Sequence, residues 1–139
     1  MSFKISEPES AVFTPKKYVD EAGNTECAVF IRKAAKAPLV SLWRKGKKVL
    51  DAKFGEIPRG TAIATFDDFG KYPTDSKGKH AAIYLSHNPE TKTIDVLDQW
   101  NGLGKVDKRT IRFWKNKNEM VNGRPYRRSN DSDTFYVIE

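Results

Sequence analysis

Three residues in this chain could together cut an acyl bond: the single cysteine Cys27, one of the two histidines, His80, and Asp98, an aspartate set in an apolar strand pattern. A thiol is weakly nucleophilic until ionised, and a helix N-terminus or an adjacent imidazole favours the thiolate. A thiolate, a base and a carboxylate that orients the base are the parts of a cysteine hydrolase site. The competing reading makes Cys27 a small core residue on the inward face of a helix, and from the residue pattern alone both readings stand.

The elements that must position these groups are legible in the spacing. Cys27, Phe30, Ile31, Ala34 and Ala35 follow i, i+3, i+4, i+7, i+8, one apolar stripe of a helix that Pro38 ends. With Thr25 or Asn24 as N-cap, Cys27 takes the second or third helical position. His80 opens the strand "HAAIYLS", and "KTIDVLDQW" follows after a loop from His87 to Thr91. His87 in that loop reads as an exposed polar residue. Alternation puts Ile94, Val96, Asp98 and Trp100 on one face, with Asp95 opposite. A carboxylate on such a face needs a partner to stay charged. Pairing Ser86 with Lys92 sets Tyr84 opposite Ile94, Ala82 opposite Val96 and His80 opposite Asp98, within hydrogen-bonding reach. A slip of one residue would send these side chains to opposite faces.

Elsewhere, residues 1–13 read as an irregular lead-in, and Thr14, Pro15 and Gly23 mark a short first helix. The segment 41–60 reads as loop, with Trp43 as an anchor. Short runs rich in β-branched and aromatic residues at 60–66, 80–86, 92–100, 109–115 and 134–139 predict an antiparallel meander. The expected fold class is α+β, with N-terminal helices packed on an antiparallel sheet of about five strands, in a single domain over 1–139. The stretch Asp67–Lys79, just before His80, is a candidate lid.

Composition narrows the partners. One cysteine excludes an intrachain disulfide and a multi-thiolate metal site, and no metal or cofactor is expected. The N-terminus lacks the apolar core of a secretory signal, and no run of eighteen apolar residues could span a membrane. Synthesis in the cytoplasm without a cleavable signal is the expectation. The net charge is +7 and nine basic residues between Lys105 and Arg128 face only Asp107 and Glu119. Such a stretch suits a polyanion, whether nucleic acid, lipid headgroups or cell-wall polymer, or it is simply a solvated face.

"ECAVFIRKAAKAP", "IPRGTAIATF", "GKHAAIYL" and "IDVLDQW" resemble, in order, the Cys, central-strand, His and third-residue blocks of the papain-like NlpC and CHAP superfamily of bacterial peptidoglycan hydrolases. They are similar above all to small amidase effectors delivered by type VI secretion. The resemblance implies a papain-like fold, with Cys27 as nucleophile, His80 as general base, Asp98 as the orienting residue, and Gln99 and Trp100 beside the substrate. It implies an amidase or endopeptidase acting on peptidoglycan peptides, often at a γ-D-glutamyl or diaminopimelate amide. It also implies export by a specialised secretion route to the periplasm or cell wall, and a cognate immunity protein as a partner. Glu26 departs from family forms that carry an aromatic or glutamine before the nucleophile. The rival readings are a papain-like hydrolase or acyltransferase on another substrate, a catalytically dead relative, and a basic nucleic-acid-binding module in which Phe113, Trp114 and Tyr126 stack on bases.

Overall fold

The computed structural model describes residues 2–12, 17–74 and 78–139. Its frame is one six-stranded antiparallel sheet built from β1 (Lys45–Lys48), β2 (Ala62–Thr65), β3 (Ala81–Asn88), β4 (Thr93–Asp98), β5 (Asp107–Ile111) and β6 (Phe135–Ile138), in the order β1-β6-β2-β3-β4-β5. The expected meander holds from β2 to β5. The last strand departs from it, returning to lie between β1 and β2, where Phe135 and Val137 join Ile63 in the core.

β1 falls in the segment read as loop. "KGKK" has no apolar alternation, because the strand sits at the edge of the sheet, where lysines discourage pairing with another chain. Trp43, just before it, is the expected anchor: it is buried, and its indole N–H donates to Pro38 O at 2.9 Å.

Among the described residues there is one α-helix, α1 (Cys27–Ala34), where two were expected. Thr14 and Pro15, which were to start the first, lie outside the described residues. From Lys17 to Gly23 the chain bends and turns instead, because Asp20 Oδ1 accepts the backbone N–H groups of Ala22 and Asn24, each at 2.9 Å. The lead-in is also more ordered than its composition suggests. Ala62 N–H donates to Phe3 O, Ile5 N–H donates to Gly60 O, Pro8–Ala11 forms a 3-10 turn, and Ala11 is fully buried.

Both faces of the sheet are covered, so β2 and most of β3 read as continuous apolar runs rather than alternations. α1 inserts Phe30 and Ile31 against Ala81, Ile83 and Leu97 on one face. On the other, Val49, Ala52 and Ile57 close over Ile63, Tyr84, Ile94 and Val96.

The β3–β4 register differs from the expected one. Tyr84 pairs with Val96 and Ile83 with Leu97, a shift of two residues that preserves faces, so His80 and Asp98 still share one, as diagonal neighbours. A bulge between Tyr84 and Ser86 then changes the parity. His87 consequently sits inside β3 opposite Ile94, buried rather than exposed in a loop. Its Nε2–H donates to Ala52 O at 2.8 Å, and its Nδ1 accepts the Tyr84 hydroxyl at 2.6 Å.

The approach to His80 is fixed by Thr65 and Gly78. Thr65 Oγ1 donates to Gly78 O at 3.0 Å and accepts His80 N–H at 3.1 Å. Gly78 has φ +126, and a Cβ there would meet the Arg128 backbone nitrogen at 2.6 Å. A side chain at this position must displace either the 128 turn or His80. Gly78→Ala is therefore expected to cost about 2–4 kcal/mol in urea unfolding, against about 1 kcal/mol for Gly23→Ala, whose added methyl meets nothing within 4 Å and bears only the positive-φ strain.

Candidate active site

Cys27 is the first residue of α1, with Glu26 as N-cap, where the second or third helical position was expected. Thr25 is not the cap because its hydroxyl donates to Trp100 O at 3.2 Å. The Glu26 carbonyl accepts Val29 N–H and Phe30 N–H, so the N–H groups of Cys27 and Ala28 precede the first helical hydrogen bond. Gln99 secures this corner: its Nε2 donates to Glu26 O at 3.1 Å and to Tyr18 O at 2.9 Å. Gln99 is thus buried under the site and is not in the cleft wall, whereas Trp100, partly exposed, does line the cleft beside Cys27 and His80.

The three candidate residues meet at the end of the sheet. Alternation assigns His80 and Asp98 to the face opposite α1. His80, however, stands one residue ahead of β3, edge-on to Phe135 on its own face and close enough to act on the Cys27 thiol from the other. His80 Nε2–H donates to Asp98 Oδ2 at 2.8 Å, which leaves Nδ1 for the thiol.

Two further residues complete the arrangement. Arg109, on β5 opposite Val96, donates from Nε to the same Asp98 Oδ2 at 2.9 Å, and its other nitrogens hold Asn130 Oδ1 and Ser129 O. The Tyr72 hydroxyl lies 3.5 Å from Cys27 Sγ, with its ring packed edge-on against Trp43. Tyr72 belongs to the stretch read as a lid. It packs against the core, so this part of the segment is a wall of the site; Asp75–Lys77 lie outside the described residues.

The electrostatics favour a charged pair. Burial pushes the Cys27 thiol up, but the hydrogen bond and charge of His80, with help from the Tyr72 hydroxyl and the Ala81 backbone, bring it below its ordinary value of 9.0. Burial disfavours the imidazolium, yet the bonds to Asp98 and Cys27 outweigh this and raise His80 to about 9. Burial likewise pushes Asp98 up, and His80 and Arg109 more than offset it, so the carboxylate stays ionised. Burial raises Tyr72 above the range in which it could lose its proton, so its hydroxyl can only donate to a thiolate. These interactions shift the pair toward Cys27 as thiolate and His80 as imidazolium.

The cleft at Cys27 has a volume of about 460 Å³ and includes Glu26, Leu39, Val40 and Tyr72. A larger one, about 820 Å³, lies beyond Arg109 along residues 109–116 and has neither cysteine nor histidine among its described lining residues. Among the described residues, no group of three or more His, Cys, Asp or Glu could hold a metal ion, and no helix is long and apolar enough to cross a membrane.

The family model of domesticated amidase effector 2 matches residues 3–138. The chain belongs to that family. It is 33% identical over 124 residues to the type VI secretion amidase effector 2 protein of Salmonella typhi, covering 86% of this chain and 90% of the relative. A solved structure of type 6 secretion amidase effector 2 superposes with a TM-score of 0.79 at 30% identity, covering 99% of this chain and 94% of that one. The α+β, papain-like fold class expected from the sequence stands, with six strands where about five were expected.

If Asp98 supports His80 in this way, Asp98→Ala is expected to lower kcat/KM of the amide-cleaving reaction by about 10²–10⁴-fold. It should also destabilise the fold by about 3–5 kcal/mol, since two cations lose a buried counter-charge. Asp98→Asn is expected to lose less, because the carboxamide oxygen still accepts Nε2–H. The sign for pH follows from His80: its proton is held up to about pH 9 and lost above it, so activity should fall through that pH. In Asp98→Asn the counter-charge is gone and this limb should move to lower pH. A pH profile of kcat/KM for amide cleavage by the native chain and by Asp98→Asn measures both.

Proposed function

We propose that this chain hydrolyses an amide bond in peptidoglycan peptides through Cys27, His80 and Asp98. The observation that supports this reading is the position of His80, bound through Nε2 to Asp98 at 2.8 Å and lining the same cleft as Cys27 at the head of α1. The Cys27 thiolate attacks the amide carbonyl, forming a C–S bond. The carbonyl oxygen takes the negative charge, within reach of the Cys27 backbone N–H. The imidazolium of His80 gives its proton to the leaving amine as the C–N bond breaks. Water, deprotonated by His80, then releases the acyl group. Asp98, fixed by Arg109, holds the ring so that one nitrogen always faces the sulfur.

Peptidoglycan as substrate is supported by membership of an amidase effector family and by the +7 charge, which suits an anionic wall. The names of the relatives, type VI secretion amidase effectors, support delivery by a type VI machine; action in the periplasm or cell wall, and a cognate immunity protein as partner, belong to the same proposal. The nucleic-acid reading finds less support. Trp114 is buried, with its indole N–H on Asn116 O and its ring edge-on to Tyr126, whose hydroxyl donates to the buried Asp131. These aromatics hold the fold and form no open stacking platform.

Purified sacculi incubated with the protein should release soluble peptide fragments with new amine termini, resolved by mass spectrometry. Cys27→Ala should reduce that release by about 10³-fold or more while leaving the melting temperature near that of the native chain. Equal release by both proteins would remove the thiol from the mechanism.

A further inference from the structure

Beside the Cys27 cleft, and sharing Lys79, His80 and Trp100 with it, lies a second lobe of about 430 Å³. The two lobes differ in charge. The thiol lobe is mixed, with Asp20 and Glu26 beside Arg32, Leu39 and Val40. The second is lined by Lys79, Arg109, Arg124 and Arg127, with no acidic side chain among its described lining residues. Arg109 is already engaged by Asp98, Asn130 and Ser129 and forms the floor. Lys79 and Arg124 are exposed to the lobe's solvent side.

The direction of the chemistry decides which part of a substrate enters this lobe. Cys27 lines only the first lobe, and His80 lines both. The acyl group must remain on the sulfur, whereas the amine departs with the proton of His80. The amine-side residue therefore extends from His80 away from Cys27, into the cationic lobe. We propose that this lobe binds a free carboxylate carried by the residue that supplies the leaving amine, with Lys79 and Arg124 as its ligands. The preferred substrates are then amides whose amine-side product is an amino acid or short peptide with an unblocked carboxylate close to the released nitrogen. This deepens the proposed peptidoglycan activity and rests on it for the direction of cleavage. Guanidinium and ammonium groups in a half-enclosed lobe select for such an anion by charge-assisted hydrogen bonds that a neutral amide cannot replace.

Two measurements on the full chain test this. In the first, cross-linked peptides from purified sacculi are compared with the same peptides after their free carboxylates have been converted to carboxamides. The native chain should show a KM about tenfold higher for the amidated material, the effect of losing one charge-assisted hydrogen bond. Lys79→Gln/Arg124→Gln should show a raised KM for the native material and little discrimination between the two. Equal KM values for the native chain, or discrimination that survives in the double variant, would overturn the assignment.

The second measurement needs no peptidoglycan. Alkylation of Cys27 by iodoacetate, an anion, is compared with alkylation by neutral iodoacetamide at low salt. The rate ratio should favour iodoacetate several-fold more in the native chain than in Lys79→Gln/Arg124→Gln. Lys33→Gln/Lys53→Gln, which removes two exposed charges that line neither lobe, should keep the native ratio. If both double variants lower the ratio alike, the effect is net charge and the carboxylate site is wrong. Sacculi left uncut by the native chain, together with the expected alkylation ratios, would place the error in the peptidoglycan reading and keep the anion site.

Discussion

Asp98 is almost fully buried, and a carboxylate in that position keeps its charge only where the surroundings replace the water it has lost. Two cations do so at one oxygen: His80 at 2.8 Å and Arg109 at 2.9 Å. This single anion ties the start of β3, the end of β4, the middle of β5 and, through Arg109, the turn at Ser129 and Asn130. It also sets the protonation of the base. Fold and chemistry thus share one electrostatic node, and neither can be altered there without the other. The same dependence explains why Arg109 matters although it touches no reacting atom. Without it, Asp98 would lean on His80 alone, and the imidazole would be the sole cation beside a buried carboxylate.

At Cys27 opposing effects are closely balanced. Burial works against the thiolate, and the helix N-terminus, His80 and the Tyr72 hydroxyl work for it. Glu26, whose carboxylate beside a nucleophile is unfavourable on charge alone, contributes through its backbone: its carbonyl closes the first helical turn and receives Gln99. The side chain is exposed, where solvent screens it from the sulfur.

Much of this was legible in the sequence because it rests on period and position. The stripe through Phe30 and Ile31 marked α1, and the alternation through Val96 marked Asp98 as an anomaly. That anomaly also survived a wrong register, since an error of two residues leaves every side chain on its own face. What escaped depends on contacts between distant segments. "KGKK" carries no apolar signal because edge position, not burial, makes it a strand. His87 was misplaced because a bulge changes parity and no residue type announces one. Tyr72 sits in an irregular segment that has no period to read. Arg109 was hidden among nine basic residues, although the test applied to Asp98 would have found it: it shares a face with Ile111, and a cation on that face calls for an anion.

The bulge near Leu85 has a consequence beyond His87. It divides the β3–β4 ladder into two registers, one that runs to the active end and one that runs to the hairpin. A gain or loss of a residue in the Pro89–Lys92 turn can be taken up at that discontinuity, so the ladder beyond it keeps its phase. Lineages could therefore remodel the far tip of this hairpin freely, while the spacing between His80 and Asp98 stays insulated from the change.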